Sequence, residues 1–302
     1  MSAVRSVRRA IDWGQLAPLR LRARRVAEGV YAGVHRSARR GAGVEFGGYR
    51  EYVPGDDLRW LDRRSLLRHD RLIVRQFETE TDRALCLLVD ASASMSYRGP
   101  KAPGAKVAFA AVVAAALTRL ALASGDPVSL TFLGGAAHAD PVPRSVGNEQ
   151  FERIVASLEA VEPGGDAAVD PGMLARALQA LSRATRRGAI VVLLSDLLDL
   201  PPQAAERIGA IAAAGRVLTV VQTLDPAEVD FPFEGTVRLR ALEGGAVVET
   251  DADATRETYV AALEALTGAW REAITRRGGR LFRTTTDADA VGVVRSVVEA
   301  VR

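Results

Sequence analysis

Asp90, Ser92 and Ser94 place a carboxylate and two hydroxyls at positions i, i+2 and i+4. Oxygen donors packed this closely, with no thiolate or imidazole among them, suit a hard divalent cation of the Mg²⁺ or Mn²⁺ type. They follow Ala84-Leu85-Cys86-Leu87-Leu88-Val89, an uninterrupted apolar run that reads as a strand buried on both faces. A second run of the same design, Ala189 to Leu194, ends in Ser195-Asp196. Open α/β sheets bind ligands outside the carboxyl ends of their strands, where these groups fall.

The elements that must position them alternate. From Ala84 the pattern predicts strands at Pro127 to Leu133, Ala139 to Pro143, Ala189 to Leu194, Arg216 to Gln222 and Arg280 to Arg283. Helices are expected at Ala105 to Ala123, Glu149 to Glu159, Asp170 to Ala184, Pro201 to Ala214, Thr255 to Arg277 and Asp287 to Val301. Asp170-Pro171 supplies an N-cap and a proline suited to the first helical turn. Phe233 to Thr250 alternates around Gly244-Gly245 and reads as a hairpin insertion. Strands alternating with helices specify an α/β fold with a doubly wound, mostly parallel sheet of Rossmann type. In the strand order 3-2-1-4-5-6, the first and fourth strands flank the point where the winding reverses. Asp90 and Asp196 then face one crevice.

Three segments divide the chain. Residues 1–40 hold ten arginines against Asp12 and Glu28, with apolar residues spaced for amphipathic helices whose apolar stripe packs on the rest of the protein. Residues 41–80 form a small β-containing region punctuated by Val53-Pro54-Gly55-Asp56, a turn in which Pro54 fixes φ and Gly55 permits positive φ. Leu72 to Phe77 reads as a strand entering the main domain, which occupies 81–302. The net charge of +3, 48% hydrophobic and 25% charged residues describe an ordinary globular protein. Only Lys101 and Lys106 among the 40 basic residues are lysines, so arginine abundance is a bias of the whole chain. The single cysteine, Cys86, lies in the first buried strand and excludes an intrachain disulfide or thiolate metal site. The longest apolar stretch, Val107 to Leu117, is short for a bilayer span, and the basic N-terminus lacks the apolar segment of a secretory signal. A cytoplasmic location is expected.

Asp90-Ala91-Ser92-Ala93-Ser94 resembles the Asp-x-Ser-x-Ser of the metal-ion-dependent adhesion site in von Willebrand factor A domains, and Leu194-Ser195-Asp196 is similar to that site's later aspartate. Upstream, Glu45-Phe46, Arg50, Tyr52, Gly55-Asp56-Asp57, Arg59 and Asp62 resemble, in order, the uncharacterised bacterial family encoded beside MoxR-type AAA+ ATPases. The resemblance runs from about Gly33 to the C-terminus. It implies a Mg²⁺-dependent binding module in which Ser92 and Ser94 ligate directly and the aspartates bind directly or through water. A protein partner, such as a MoxR-type ATPase or its client, would meet that site. The loop threonine of the pattern is replaced by Gly164-Gly165-Asp166, which makes Asp166 a candidate ligand with Asp170 as the alternative. The tryptophan that follows the upstream aspartate in the pattern is Arg63 here, with Trp60 nearby.

Rival chemistries fit less well. A phosphotransferase with a strand-end aspartate nucleophile needs an acid two residues on, where Ser92 stands. A serine hydrolase needs a Gly-x-Ser-x-Gly elbow and a histidine partner. His35, His69 and His138 fall outside metal-ligand spacing. The N-terminal arginines lie in no recognised nucleic-acid module. The sequence is read as a non-catalytic, metal-dependent adaptor, with a metal-dependent hydrolase or phosphatase and nucleic-acid binding as the alternatives.

Overall fold

The computed structural model describes residues 11–34, 45–51, 73–78, 83–136, 139–165, 170, 172–198, 200–201, 203–242 and 246–301. It divides into two compact units, residues 36–82 and residues 1–35 together with 83–302. In the smaller unit, β1 (Glu45–Glu51) pairs antiparallel with β2 (Ile73–Glu78), with an irregularity between Phe46 and Gly48. The strand expected over Leu72 to Phe77 is β2, and it belongs to this two-stranded sheet. Of the upstream block, Glu45, Phe46 and Arg50 lie on β1, whereas Tyr52, Gly55, Asp56, Asp57, Arg59 and Asp62 fall outside the described residues.

The larger unit begins with α1 (Leu19–Val34) and continues with β3 (Leu85–Ala91), α2 (Lys106–Ala123), β4 (Val128–Gly134), β5 (Val142–Ser145), α3 (Asn148–Ala160) and α4 (Gly172–Ala184). After these come β6 (Ile190–Ser195), α5 (Ala204–Ala213), β7 (Val217–Leu224), α6 (Pro226–Asp230), β8 (Thr236–Arg240), β9 (Val247–Asp251), α7 (Ala252–Thr275), β10 (Arg280–Thr285) and α8 (Ala290–Ala300). The main sheet has the order β10-β7-β6-β3-β4-β5, parallel throughout except for the edge strand β5. Counted from β3, this is the expected 3-2-1-4-5-6. The strands β8 and β9 form the expected hairpin, with Gly244 and Gly245 outside the described residues.

Every residue of β3 is buried, because alternate side chains feed two cores. Leu85, Leu87 and Val89 pack with α1, α2, α3 and α8 residues, while Cys86 and Leu88 pack with Leu174, Ile208, Trp270 and Ile274 of α4, α5 and α7. The helix α2 is buried without interruption from Lys106 to Thr118, and its alanines allow the close approach to the sheet. It is long and apolar enough by composition to cross a membrane, and 72% of it lies inside the fold. On α1, Leu19, Ala23, Val26, Ala27 and Val30 are buried at helical spacing, while Arg20, Arg24 and Arg25 face outward. Gly29 of α1 lies so close to α8 that a Cβ there would come within 2.9 Å of Val291.

Candidate metal and charge centre

Asp90 is the penultimate residue of β3, and Asp196 follows Ser195, the last residue of β6. These strands are neighbours in register, Val89 opposite Leu194. Strand geometry thus brings together two carboxylates 106 positions apart in sequence, each about 1% exposed. Hydrogen bonds fix their orientation. Asp90 Oδ1 accepts the Ser92 amide at 2.9 Å, and Asp90 Oδ2 accepts the Ser195 hydroxyl. Ser195 Oγ in turn accepts the Leu197 amide at 3.0 Å, and Asp196 Oδ1 accepts the Leu198 amide at 3.1 Å. This turn holds buried Leu197 in the left-handed region (φ 64°), a conformation a leucine adopts only where its surroundings enforce it.

Ser92 and Ser94 are buried, with their hydroxyl oxygens 3.1 Å apart. The two hydroxyls hydrogen-bond to each other at this distance, which is also close to the roughly 2.9 Å between adjacent ligands of an octahedral ion with bonds of about 2.0–2.1 Å. Four glycines set the surrounding loop. Gly134 has φ +75°, and a Cβ there would stand 3.0 Å from the Ser92 backbone nitrogen and 3.1 Å from the Gly164 carbonyl. The Gly164 amide donates to the Ala91 carbonyl, its own carbonyl accepts from Gly135, and the Gly165 carbonyl accepts from Ala93. The loop leading to Asp166 is thereby tied to the serine turn. Asp166 itself lies outside the described residues. Asp170 lines a neighbouring groove, where its carboxylate pairs with Arg176 and caps α4 through the Gly172 amide; the Arg176 contact holds it below the usual carboxylate range.

The spacing of Asp90 and Asp196 does not reveal the most buried charge. Lys106, at the first position of α2, is fully buried and donates to Asp196 Oδ2 at 2.7 Å and to Glu228 Oε1 at 2.5 Å. Glu228 belongs to α6, where Asp225 is the N-cap of a capping box: its Oδ1 accepts the Ala227 amide, and Glu228 Oε2 accepts the Asp225 amide. Asp225 Oδ2 also accepts the Gly99 amide at 2.7 Å, at a glycine with no room for a Cβ. Three adjacent strands, β3, β6 and β7, therefore each carry a buried aspartate at or just beyond the carboxyl end. Sequence signals for these residues exist. Asp225-Pro226-Ala227-Glu228 is a capping-box pattern, and Lys106 is one of two lysines in a chain that otherwise uses arginine.

Electrostatics follow from this crowding. Burial raises the pKa of Asp90, the nearby Asp196 charge adds to it, and together they outweigh the Ser195 and Ser92 hydrogen bonds to bring it to about 6. Burial also raises Glu228 against the pull of Lys106. For Lys106 burial acts downward, but the carboxylates of Asp196 and Glu228 overcome it and hold the ammonium above the ordinary lysine range.

Comparison with known proteins places the chain. Residues 48–267 match the family described as "Protein of unknown function DUF58". The chain belongs to this DUF58 family. Uncharacterized protein Rv1480 of Mycobacterium tuberculosis and uncharacterized protein Mb1516 of Mycobacterium bovis are each 33% identical over 275 residues, covering 91% of this chain and 84% of the relative. Among solved structures, the conserved hypothetical protein BatB of Bacteroides thetaiotaomicron aligns with 72% of this chain and 98% of its own at 17% identity and TM-score 0.48. An aerotolerance-related membrane protein of Bacteroides fragilis gives the same coverage and identity with TM-score 0.45.

In this DUF58 chain, no group of three or more histidine, cysteine, aspartate or glutamate side chains among the described residues is arranged to hold an ion unaided. A divalent ion would need the serine hydroxyls, and water, beside the carboxylates. The donor set of Asp90, Ser92, Ser94 and Asp196 fits that requirement: all oxygen, with two hydroxyls at octahedral spacing and two like charges that a cation between them would relieve.

Proposed function

We propose that this chain is a metal-dependent, non-catalytic protein-binding adaptor built on a von Willebrand factor A-like domain. In this reading Asp90, Ser92, Ser94 and Asp196 hold a Mg²⁺-type ion, with Asp166 as the loop candidate, and a protein partner docks over it. The observation that carries the proposal is the meeting of Asp90 and Asp196 on neighbouring strands beside two hydroxyls 3.1 Å apart. The partner class is a MoxR-type AAA+ ATPase or its client, in the cytoplasm, a reading that rests on the upstream sequence block.

A ligand held only by the folded state stabilises it by RT ln(1 + [L]/Kd), about 2.7 kcal/mol at a hundredfold excess over Kd. Mg²⁺ or Mn²⁺ is therefore expected to raise the melting temperature of the wild type. Asp90→Ala should remove that rise. Capture of a MoxR-type ATPase on the immobilised chain should disappear with chelator and with Asp90→Ala alike. A metal response that survives the substitution would defeat the assignment, and metal-dependent phosphoester turnover without any partner would favour the enzyme alternative.

A further inference from the structure

Lys106 sits where several forces oppose a positive charge. It is fully buried, away from water. It stands in the first turn of an 18-residue helix, the end at which the macrodipole favours anions, and Ala105 at the N-cap contributes no side-chain hydrogen bond. Its ammonium also lies 5.9 Å from the Tyr97 ring centroid, at the outer limit of a cation–π contact. Asp196 and Glu228 hold it in place, with Asp90 as a further charge beside Asp196. With Asp225 buried beside Glu228, the carboxylates of this cluster outnumber its one ammonium.

We infer that Lys106 is a built-in counter-cation that competes with the divalent ion for Asp196 and so weakens the site's hold on metal. This rests on the metal-binding reading above and adds the device that tunes it. Asp196 Oδ2 accepts the ammonium at 2.7 Å. An ion bound to that carboxylate at about 2.1 Å would lie roughly 5 Å from Nζ. Even at the dielectric constant of water, repulsion between a single and a double positive charge at about that distance exceeds a factor of ten in affinity. In the metal-free protein the same ammonium neutralises the aspartate and holds β6 to α2 and α6. The result is a site that stays folded when empty and releases its ion readily. Lysine suits this role as a compact point charge, where a planar guanidinium would demand bidentate geometry.

A purely orienting role predicts the opposite sign. Removing a group that holds a metal ligand in place ordinarily weakens binding ten- to a hundredfold. Calorimetric titration of Mn²⁺ into chelator-stripped wild type, Lys106→Met and Lys106→Gln separates the two. The expected result is binding at least about tenfold tighter in both variants, with a lower melting temperature before metal is added and a larger rise after it. The Lys106→Gln variant keeps an N–H donor in the network without the charge, so it serves where the Lys106→Met variant does not fold. Affinity unchanged or weakened in the variants overturns the inference and leaves the metal site standing. Binding absent from wild type but present in the variants supports the competition and overturns the proposed metal dependence of the natural chain. Binding absent from all three overturns both.

Discussion

Charges in this protein fall into two regions that obey different rules. On the outer face of α1, Arg24 pairs with Glu28 and Arg20 with Glu152, each with more than half of its side chain in solvent. At the carboxyl ends of β3 and β6, Lys106, Asp196 and Asp90 are almost completely withdrawn from water. The first region is rich in charge and cheap to alter, since exposed pairs contribute about 0–1 kcal/mol. The second has few charges, and each depends on the others, because breaking a buried pair leaves an uncompensated ion. Location, rather than abundance, sets the candidate site apart.

The contrast can be broken most sharply at its buried end. Lys106→Met, measured in chelator by urea unfolding at neutral pH, should lose about 3–5 kcal/mol, since Asp196 and Glu228 keep their burial and lose their cation. A loss of less than about 1 kcal/mol would put this lysine in the same class as the exposed arginines.

Asp90 should behave in the opposite way. Its folded-state pKa of about 6 lies above the ordinary value of 3.8, so its contribution to stability is fully present below about pH 3.8 and is lost as pH rises through about 6. A displacement of that size corresponds to about 3 kcal/mol. Asp90→Asn removes this penalty, so in chelator the variant should become more stable relative to wild type as pH rises from about 4 to about 7. Parallel pH profiles for the two proteins would show that burial and the Asp196 charge impose no such penalty on Asp90. At the exposed end, Arg24→Ala should leave the urea midpoint close to that of wild type, and added salt should shrink even the remaining difference.

Much of this arrangement is legible in the chain. The runs Leu85 to Val89 and Ile190 to Leu194 announce doubly buried strands, and the rule for winding reversal makes them neighbours, so the meeting of Asp90 and Asp196 follows from sequence. The edge segment, the hairpin and the closing helix appear within a few residues of their expected places. Lys106 escapes such reading because a lysine opening an apolar helix ordinarily points to water; only the packing of α2 against the sheet shows it enclosed. Glu228 and Asp225 escape because α6 is one turn long, too short for apolar periodicity, and its capping box is the only local sign of it. The apolar run at Ile73 specifies a strand without naming its partner, which the structure shows to be β1.

Whether Asp90 and its neighbours bind a divalent ion is tested most directly by titration calorimetry of Mn²⁺ against chelator-stripped wild type and Asp90→Asn. Saturable one-site binding is predicted in the wild type and none in the variant. Equal binding by both, or no binding by a folded wild type, would contradict it.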